Sequence, residues 1–273
     1  MGQAKQKERS QAALLAANPF CVYCGGANPA TTIDHLPPRI MFRGKLRPRQ
    51  FEFPCCEPCN KGTKGTDQLI AWIGRIFPDP ATESDKADVQ KILRGLKNNM
   101  PDVLREMHIG TAGQKLARKR TAGLIQESGG FLRLNGPLVS QHLDIFGCKL
   151  GLAMHWEHTK QIIPPTGGIV VRFFSNIEAL EGKIPNRLLS LLPGPQTLRQ
   201  GSWDVADQFK YSARITDDKK MGLFFASFRF SIAVVALTTM DRSLLNSKIG
   251  PIFPPAALWS EVDANLPGAQ NVA

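Results

Sequence analysis

The stretch that decides the reading runs Cys21-Val22-Tyr23-Cys24, then Thr31-Thr32-Ile33-Asp34-His35-Leu36-Pro37-Pro38, then Cys55-Cys56-Glu57-Pro58-Cys59-Asn60-Lys61-Gly62-Thr63-Lys64-Gly65-Thr66-Asp67. Two cysteine pairs, each of CxxC spacing, bracket an Asp-His dipeptide. That spacing lets both thiolates of a pair face one ion at about 2.3 Å, and two pairs complete a tetrahedral four-sulfur site. Cys21, Cys24, Cys56 and Cys59 are therefore expected to hold a structural zinc. Cys55 competes with Cys56 as a ligand, but only Cys56 has CxxC spacing to Cys59. Such a small unit buries little apolar area, so a metal would supply the missing folding energy.

Local signals around the cysteines are consistent with one another. Residues 4–17 read as a helix that stops at Asn18-Pro19, and Gly25-Gly26 after Cys24 permits a tight turn. Thr31, Thr32 and Ile33 are β-branched and predict a short strand delivering Asp34-His35, after which Pro37-Pro38 forces an extended exit. Phe51-Glu52-Phe53 alternates as a second strand. A helix is predicted from Glu57 or Asn60 to Phe77, with Leu69, Ile70, Trp72, Ile73 and Ile76 near helical spacing. The outline is strand, long loop, strand, helix.

This layout resembles the HNH nucleases, also called ββα-metal or His-Me finger nucleases, through CVYC, TTIDHLPP and CEPCNKGTKGTD over about residues 18–70. The resemblance implies that His35 is the general base taking a proton from attacking water, a task suited to a side chain whose pKa lies near neutrality. It implies Asp34 and Asn60 as further catalytic residues and as ligands to one catalytic Mg2+ or Mn2+. Asp67, seven residues beyond Asn60 and so two helical turns on, is a further candidate ligand. Lys61, Lys64, Arg39 and Arg43 would grip nucleic-acid phosphate. The family's middle asparagine falls near Phe51, where Gln50 or a backbone carbonyl would stand in. The resemblance implies a metal-dependent endonuclease hydrolysing phosphodiester bonds in double-stranded DNA. The alternative on the same scaffold is a non-catalytic zinc-ribbon protein that binds nucleic acid, and the missing asparagine favours it.

The chain has 273 residues, 42% apolar and 21% charged, the balance of a globular protein. Its net charge of +11 asks for an anionic partner, nucleic acid being the commonest. The basic residues gather about the motifs: Lys5, Lys7 and Arg9, then Arg39, Arg43, Lys45, Arg47 and Arg49, then Lys61 and Lys64. Five of the six cysteines lie between Cys21 and Cys59, which in a reducing compartment points to metal rather than disulfides. Cys148 reads as a small core residue. No apolar run is long enough to span a bilayer and the first residues are too polar for a secretory signal, so a cytoplasmic protein without membrane contact is expected.

The fold class expected is α+β: a zinc-stapled ββα head over 1–78, and over 79–273 a body that is helical at 84–163 and β-rich, mainly antiparallel, at 168–240. Within the body, 84–128 reads as helical, with the basic run Lys115, Arg118, Lys119 and Arg120 as a solvated face. A further helix is expected from Pro137 to about Ile163, and strands over 168–174, 208–215, 222–230 and 231–239. His142, His155 and His158 share the Pro137 helix without a ligand frame, and read as packing or surface residues. The tail after Pro251 reads as irregular.

Overall fold

A computed structural model describes residues 2–78, 80, 82–117, 124–127 and 130–255. The polar helix α1 (Gly2–Ala17) leads into the head. There β1 (Thr32–His35) pairs antiparallel with β2 (Glu52–Cys55), placing Thr32 opposite Cys55 and His35 opposite Glu52. Pro54 cannot donate to the ladder, but its carbonyl accepts from the Val22 N–H (3.1 Å) and so ties the first cysteine turn to the hairpin. That turn passes through Gly25 and Gly26 at φ +64° and +78°, where a Cβ would be strained. The helix expected over 57–77 is in fact two, α2 (Glu57–Gly62) and α3 (Lys64–Ile73). The break falls at Thr63, whose hydroxyl bonds back to the Cys59 carbonyl (3.1 Å) and competes with helix propagation.

The body begins with α4 (Glu83–Asn99), capped by the Thr82 hydroxyl, then α5 (Pro101–Met107) and α6 (Thr111–Ala117). The helical expectation for 84–128 thus holds through Ala117 and fails at its end, where β3 (Leu124–Glu127) forms a hairpin with β4 (Gly130–Arg133). Two adjacent apolar residues in each four-residue strand (Leu124-Ile125, Phe131-Leu132) are too short a pattern to separate from helix. Arg118, Lys119 and Arg120 of the basic run lie outside the described residues, as does the tail from residue 256.

The long helix α7 (Pro137–Thr159) follows, then β5 (Gly168–Ser175), α8 (Asn176–Leu180) and α9 (Asn186–Leu189). A small hairpin, β6 (Arg199–Gln200) and β7 (Trp203–Asp204), precedes the meander β8 (Phe209–Ile215), β9 (Met221–Phe228) and β10 (Ile232–Thr239). The main sheet has the order β5-β10-β9-β8, antiparallel throughout. Its four strands lie close to the expected ranges. Strand β9 alternates buried and half-buried residues, which turns Phe224, Ala226 and Phe228 toward the core.

Helix α7 lies across this sheet and connects it to the head. Gly147 and Gly151, four residues apart on one face, allow the close approach: added Cβ atoms would meet Val171 at 3.0 Å and Ala236 at 3.1 Å. Its other side meets α3. Consequently the head does not stand apart, and one apolar core runs from Val22, Leu36 and Phe53 through Phe146 to Phe209 and Phe228. The fold is α+β, as expected.

One ionic cluster also crosses from head to body. Arg75 after α3 pairs with the buried Asp85 of α4, which Arg229 of the β9–β10 turn approaches at 3.1 Å. Burial alone would raise the Asp85 carboxyl, but the Arg75 and Arg229 guanidiniums outweigh it and hold it below the ordinary carboxylate value. Its stabilising contribution is therefore present above the unfolded carboxylate pKa and is lost as pH falls through the lowered value. Replacing Asp85 by Ala leaves two largely buried guanidiniums facing each other. The expected cost is about 3–5 kcal/mol, read as a lower urea midpoint with little change in slope.

Candidate metal centre and histidine cleft

The four sulfurs of Cys21, Cys24, Cys56 and Cys59 lie within 4.8 Å of one another, all buried. A tetrahedral zinc with bonds of about 2.3 Å needs sulfurs about 3.8 Å apart, so the cluster fits such an ion with only small adjustment. The thiols already contend for protons. The contact between Cys21 and Cys24 pushes Cys21 up to about 12 and pulls Cys24 down to about 2. A divalent ion resolves that contest by replacing protons at all four sulfurs. Asn28 reaches toward the cluster, its Nδ2 donating to the Cys24 sulfur at 3.7 Å. Cys55 is buried outside the four, its sulfur 3.2 Å from the Thr32 hydroxyl, and burial pushes its thiol up to about 12. Cys56, the partner in CxxC spacing to Cys59, is the cysteine that joins the cluster.

Asp34 and His35 leave β1 on opposite faces, as successive strand residues must. Asp34 turns inward, where it accepts from Tyr23 Oη (2.9 Å) and pairs with Lys149 Nζ of α7 (2.9 Å). The same ammonium lies 2.9 Å from Asp67 Oδ2 and 3.0 Å from Thr63 Oγ1, and is 0% exposed. Two carboxylates thus share one buried cation. Burial raises both acids, but at Asp34 the pull of Lys149 and the Tyr23 hydroxyl outweighs it, and the net shift is downward. Asp67 lacks that second donor, and burial pushes it up to about 6. For Lys149, burial would favour the neutral amine, yet Asp67 and Asp34 reverse the balance and hold it charged.

This arrangement differs from the one the resemblance implies. Asp34 and Asp67 do come together, but around an ammonium. Asn60 does not join them: its Nδ2 donates to Thr32 Oγ1 (3.0 Å), at the far end of the strand from His35. Three residues of strand separate Thr32 from His35, about 10 Å. The placement of Asp34, Asn60 and Asp67 gives no support to a Mg2+ or Mn2+ site there.

His35 turns outward and is partly exposed. Its Nε2 lies 3.5 Å from Glu52 Oε1, its cross-strand partner, and 3.5 Å from Arg39 Nη2. Partial burial, with the charges of Arg47 and Arg39, lowers the imidazole below its ordinary value, so it is neutral and able to accept a proton at pH 7. Gln50 does not orient it, because its Oε1 accepts from the Arg199 N–H (3.2 Å). Glu52 stands nearest to that role.

The expected phosphate contacts divide. Arg39 is exposed beside His35. Arg43 is paired with Asp207 of the body, and Lys61 with Glu57 one turn back on α2. Lys64 is exposed at the start of α3. Of the other histidines, His155 is buried with its Nδ1 2.8 Å from Thr238 Oγ1, and His142 Nδ1 lies 2.8 Å from Thr66 Oγ1, so both pack as expected. Sequence reasoning missed Lys149 and Glu52. The signal for Lys149 was a lone cation in the apolar run from Ile145 to Trp156, and that for Glu52 was its place opposite His35 in a short hairpin.

Comparison with known proteins finds no counterpart: no family model, no curated protein and no solved structure matches this chain. Among the described residues, no helix is long and apolar enough to cross a membrane.

The four-sulfur site predicts that Cys24→Ser and Cys59→Ser each lose about one zinc per chain, whereas Cys55→Ser keeps it. Metal analysis by inductively coupled plasma mass spectrometry on the purified variants reads this directly. Zinc retained by Cys59→Ser but lost by Cys55→Ser would reverse the assignment.

Proposed function

We propose that this chain is an HNH-type endonuclease whose sulfur-stapled head brings His35 to a basic cleft as the general base for phosphodiester hydrolysis. The observation that carries the reading is a neutral imidazole held between Glu52 and Arg39 at 3.5 Å from each. His35 takes the proton of a water as its oxygen bonds to phosphorus and the bond to the 3′ oxygen breaks. Glu52 orients the ring and favours the imidazolium that forms, by the same logic that pairs carboxylate with histidine in other hydrolases. Arg39 offsets the charge gathering on the phosphoryl oxygens. Double-stranded DNA is the substrate the resemblance implies, and the net charge of +11 fits any nucleic acid. The Mg2+ or Mn2+ that the resemblance implies finds no support at Asp34, Asn60 and Asp67.

A second reading, nucleic-acid binding without cleavage, is favoured by one specific observation. Lys149 already neutralises the carboxylate beside the histidine, which leaves the head intact but without the acidic pocket a nuclease of this kind would present.

A plasmid-nicking assay on wild type and His35→Ala separates the two, run with Mg2+, with Mn2+ and with a weak chelator that spares the sulfur site. The nuclease reading expects nicking by wild type and a loss of about a hundredfold or more in His35→Ala. Equal DNA binding by both proteins with no cutting in any arm overturns it and leaves the binding reading.

A further inference from the structure

Beside His35 opens a cleft of about 900 Å³. Its head wall carries Arg39, Lys45, Arg47 and Arg49, and its body wall carries Lys160, Trp156 and Trp203. Five basic residues face two acidic ones, Glu52 and Glu157, so the cleft is net cationic. Arg39 and Glu52, the two groups that flank His35, are themselves part of the lining.

The basic residues do not all have the same freedom. Arg47 is committed to the scaffold: its Nη2 donates to the carbonyls of Leu36 (3.1 Å), Gln50 (2.7 Å) and Phe51 (3.1 Å). It holds together the loop in which Gln50 and Phe51 take positive φ values of +150° and +52°. Arg39, Lys45 and Arg49 are exposed, whereas the exposed Lys160 has its ammonium paired with Glu157 at 2.9 Å. Lys160 lies 4.1 Å over the Trp156 ring, which is otherwise buried.

Trp203 is the unusual member. It is 40% exposed, on the two-residue strand β7, just after a turn through Gly201 at φ +63°. The hairpin is fastened to the head by a reciprocal glutamine exchange. The Arg49 N–H donates to Gln200 Oε1 (3.3 Å), and the Arg199 N–H donates to Gln50 Oε1 (3.2 Å). Head loop and body hairpin therefore form one wall, with an open indole among exposed cations. A lone exposed aromatic is ordinary on a protein surface. One fixed by paired hydrogen bonds inside a cationic cleft beside a proton acceptor has the composition of a site that stacks bases and tracks a phosphate backbone.

We propose that this cleft binds single-stranded nucleic acid, with an unpaired base stacked on Trp203 and flanking phosphates on Arg39, Lys45 and Arg49. The inference rests on the nucleic-acid reading above and refines its substrate from duplex to strand. A base inside a duplex offers its face only to its neighbours in the stack, so an indole in a cleft selects bases that are splayed out. DNA and RNA strands share the required chemistry.

The test is fluorescence anisotropy with the full chain and 5′-labelled twelve-nucleotide probes: oligo-dT, oligo-U and a mixed-sequence DNA duplex of equal length. Wild type is expected to bind at least one single strand about tenfold or more tightly than the duplex. Trp203→Ala should weaken strand binding about tenfold, and Trp203→Phe should recover most of it, because a smaller aromatic face still stacks. Lys45→Ala/Arg49→Ala should lower the salt slope by about 1.4, two phosphate contacts at about 0.7 each for a single strand. A strand preference shared by oligo-dT and oligo-U supports the shared chemistry, and a preference for one alone assigns the sugar. Duplex bound as tightly as strand, or Trp203→Ala binding like wild type with an unchanged melting temperature, overturns the cleft while leaving the nucleic-acid reading in place. No binding of any probe by wild type overturns both.

Discussion

A single ammonium buried between two carboxylates decides which way the head faces. Lys149 leaves the middle of α7, is wholly buried, and meets Asp34 of β1 and Asp67 of α3 at 2.9 Å each. A charge in that position without partners would cost several kcal/mol, so α7 can lie against the head only in the register that brings all three groups together. With Asp34 turned inward, the two-residue period of the strand turns His35 outward. The exposed imidazole, its contact with Glu52 and its place beside the cationic cleft all descend from that one inward pair.

The sulfur cluster performs a different task. With a zinc bound, it would hold the first turn and the start of α2 to the ends of a hairpin only four residues long per strand, which could not persist by its own pairing. Once α3 and the hairpin are held in place, their apolar faces join the core that α7 and the large sheet provide. The attachment of the head to the body comes from apolar packing and the buried ion pairs at Lys149 and Asp85. The cleft forms where these two parts meet, which is why its walls are drawn from both.

Much of this could be read from the chain alone. The paired CxxC spacing identified the four sulfurs that cluster and passed over Cys55, because metal geometry imposes spacing on sequence. The β-branched run at Thr32-Ile33 and the Val, Ile and Phe content of β9 and β10 gave strands for a local reason as well. What escaped notice was non-local. Nothing near Asp34 announces a lysine 115 positions away, and nothing near Asn60 announces that its amide will bond to Thr32. The resemblance carried Asp34 and Asn60 to a shared ion as a matter of motif, whereas the fold gives the carboxylate an internal cation and engages the amide with Thr32. The glutamine clasp that fixes Trp203 was equally invisible, since a two-residue strand has no periodicity to detect.

The central claim is that Lys149 occupies the acidic pocket beside His35 as a built-in cation. Electron paramagnetic resonance of free Mn2+, titrated into the zinc-loaded chain, tests it most directly. The account predicts that wild type and Asp34→Asn leave the same amount of Mn2+ free across the titration. About one tightly held Mn2+ per wild-type chain, released by Asp34→Asn, would show that the pocket opens to a divalent ion and contradict the claim.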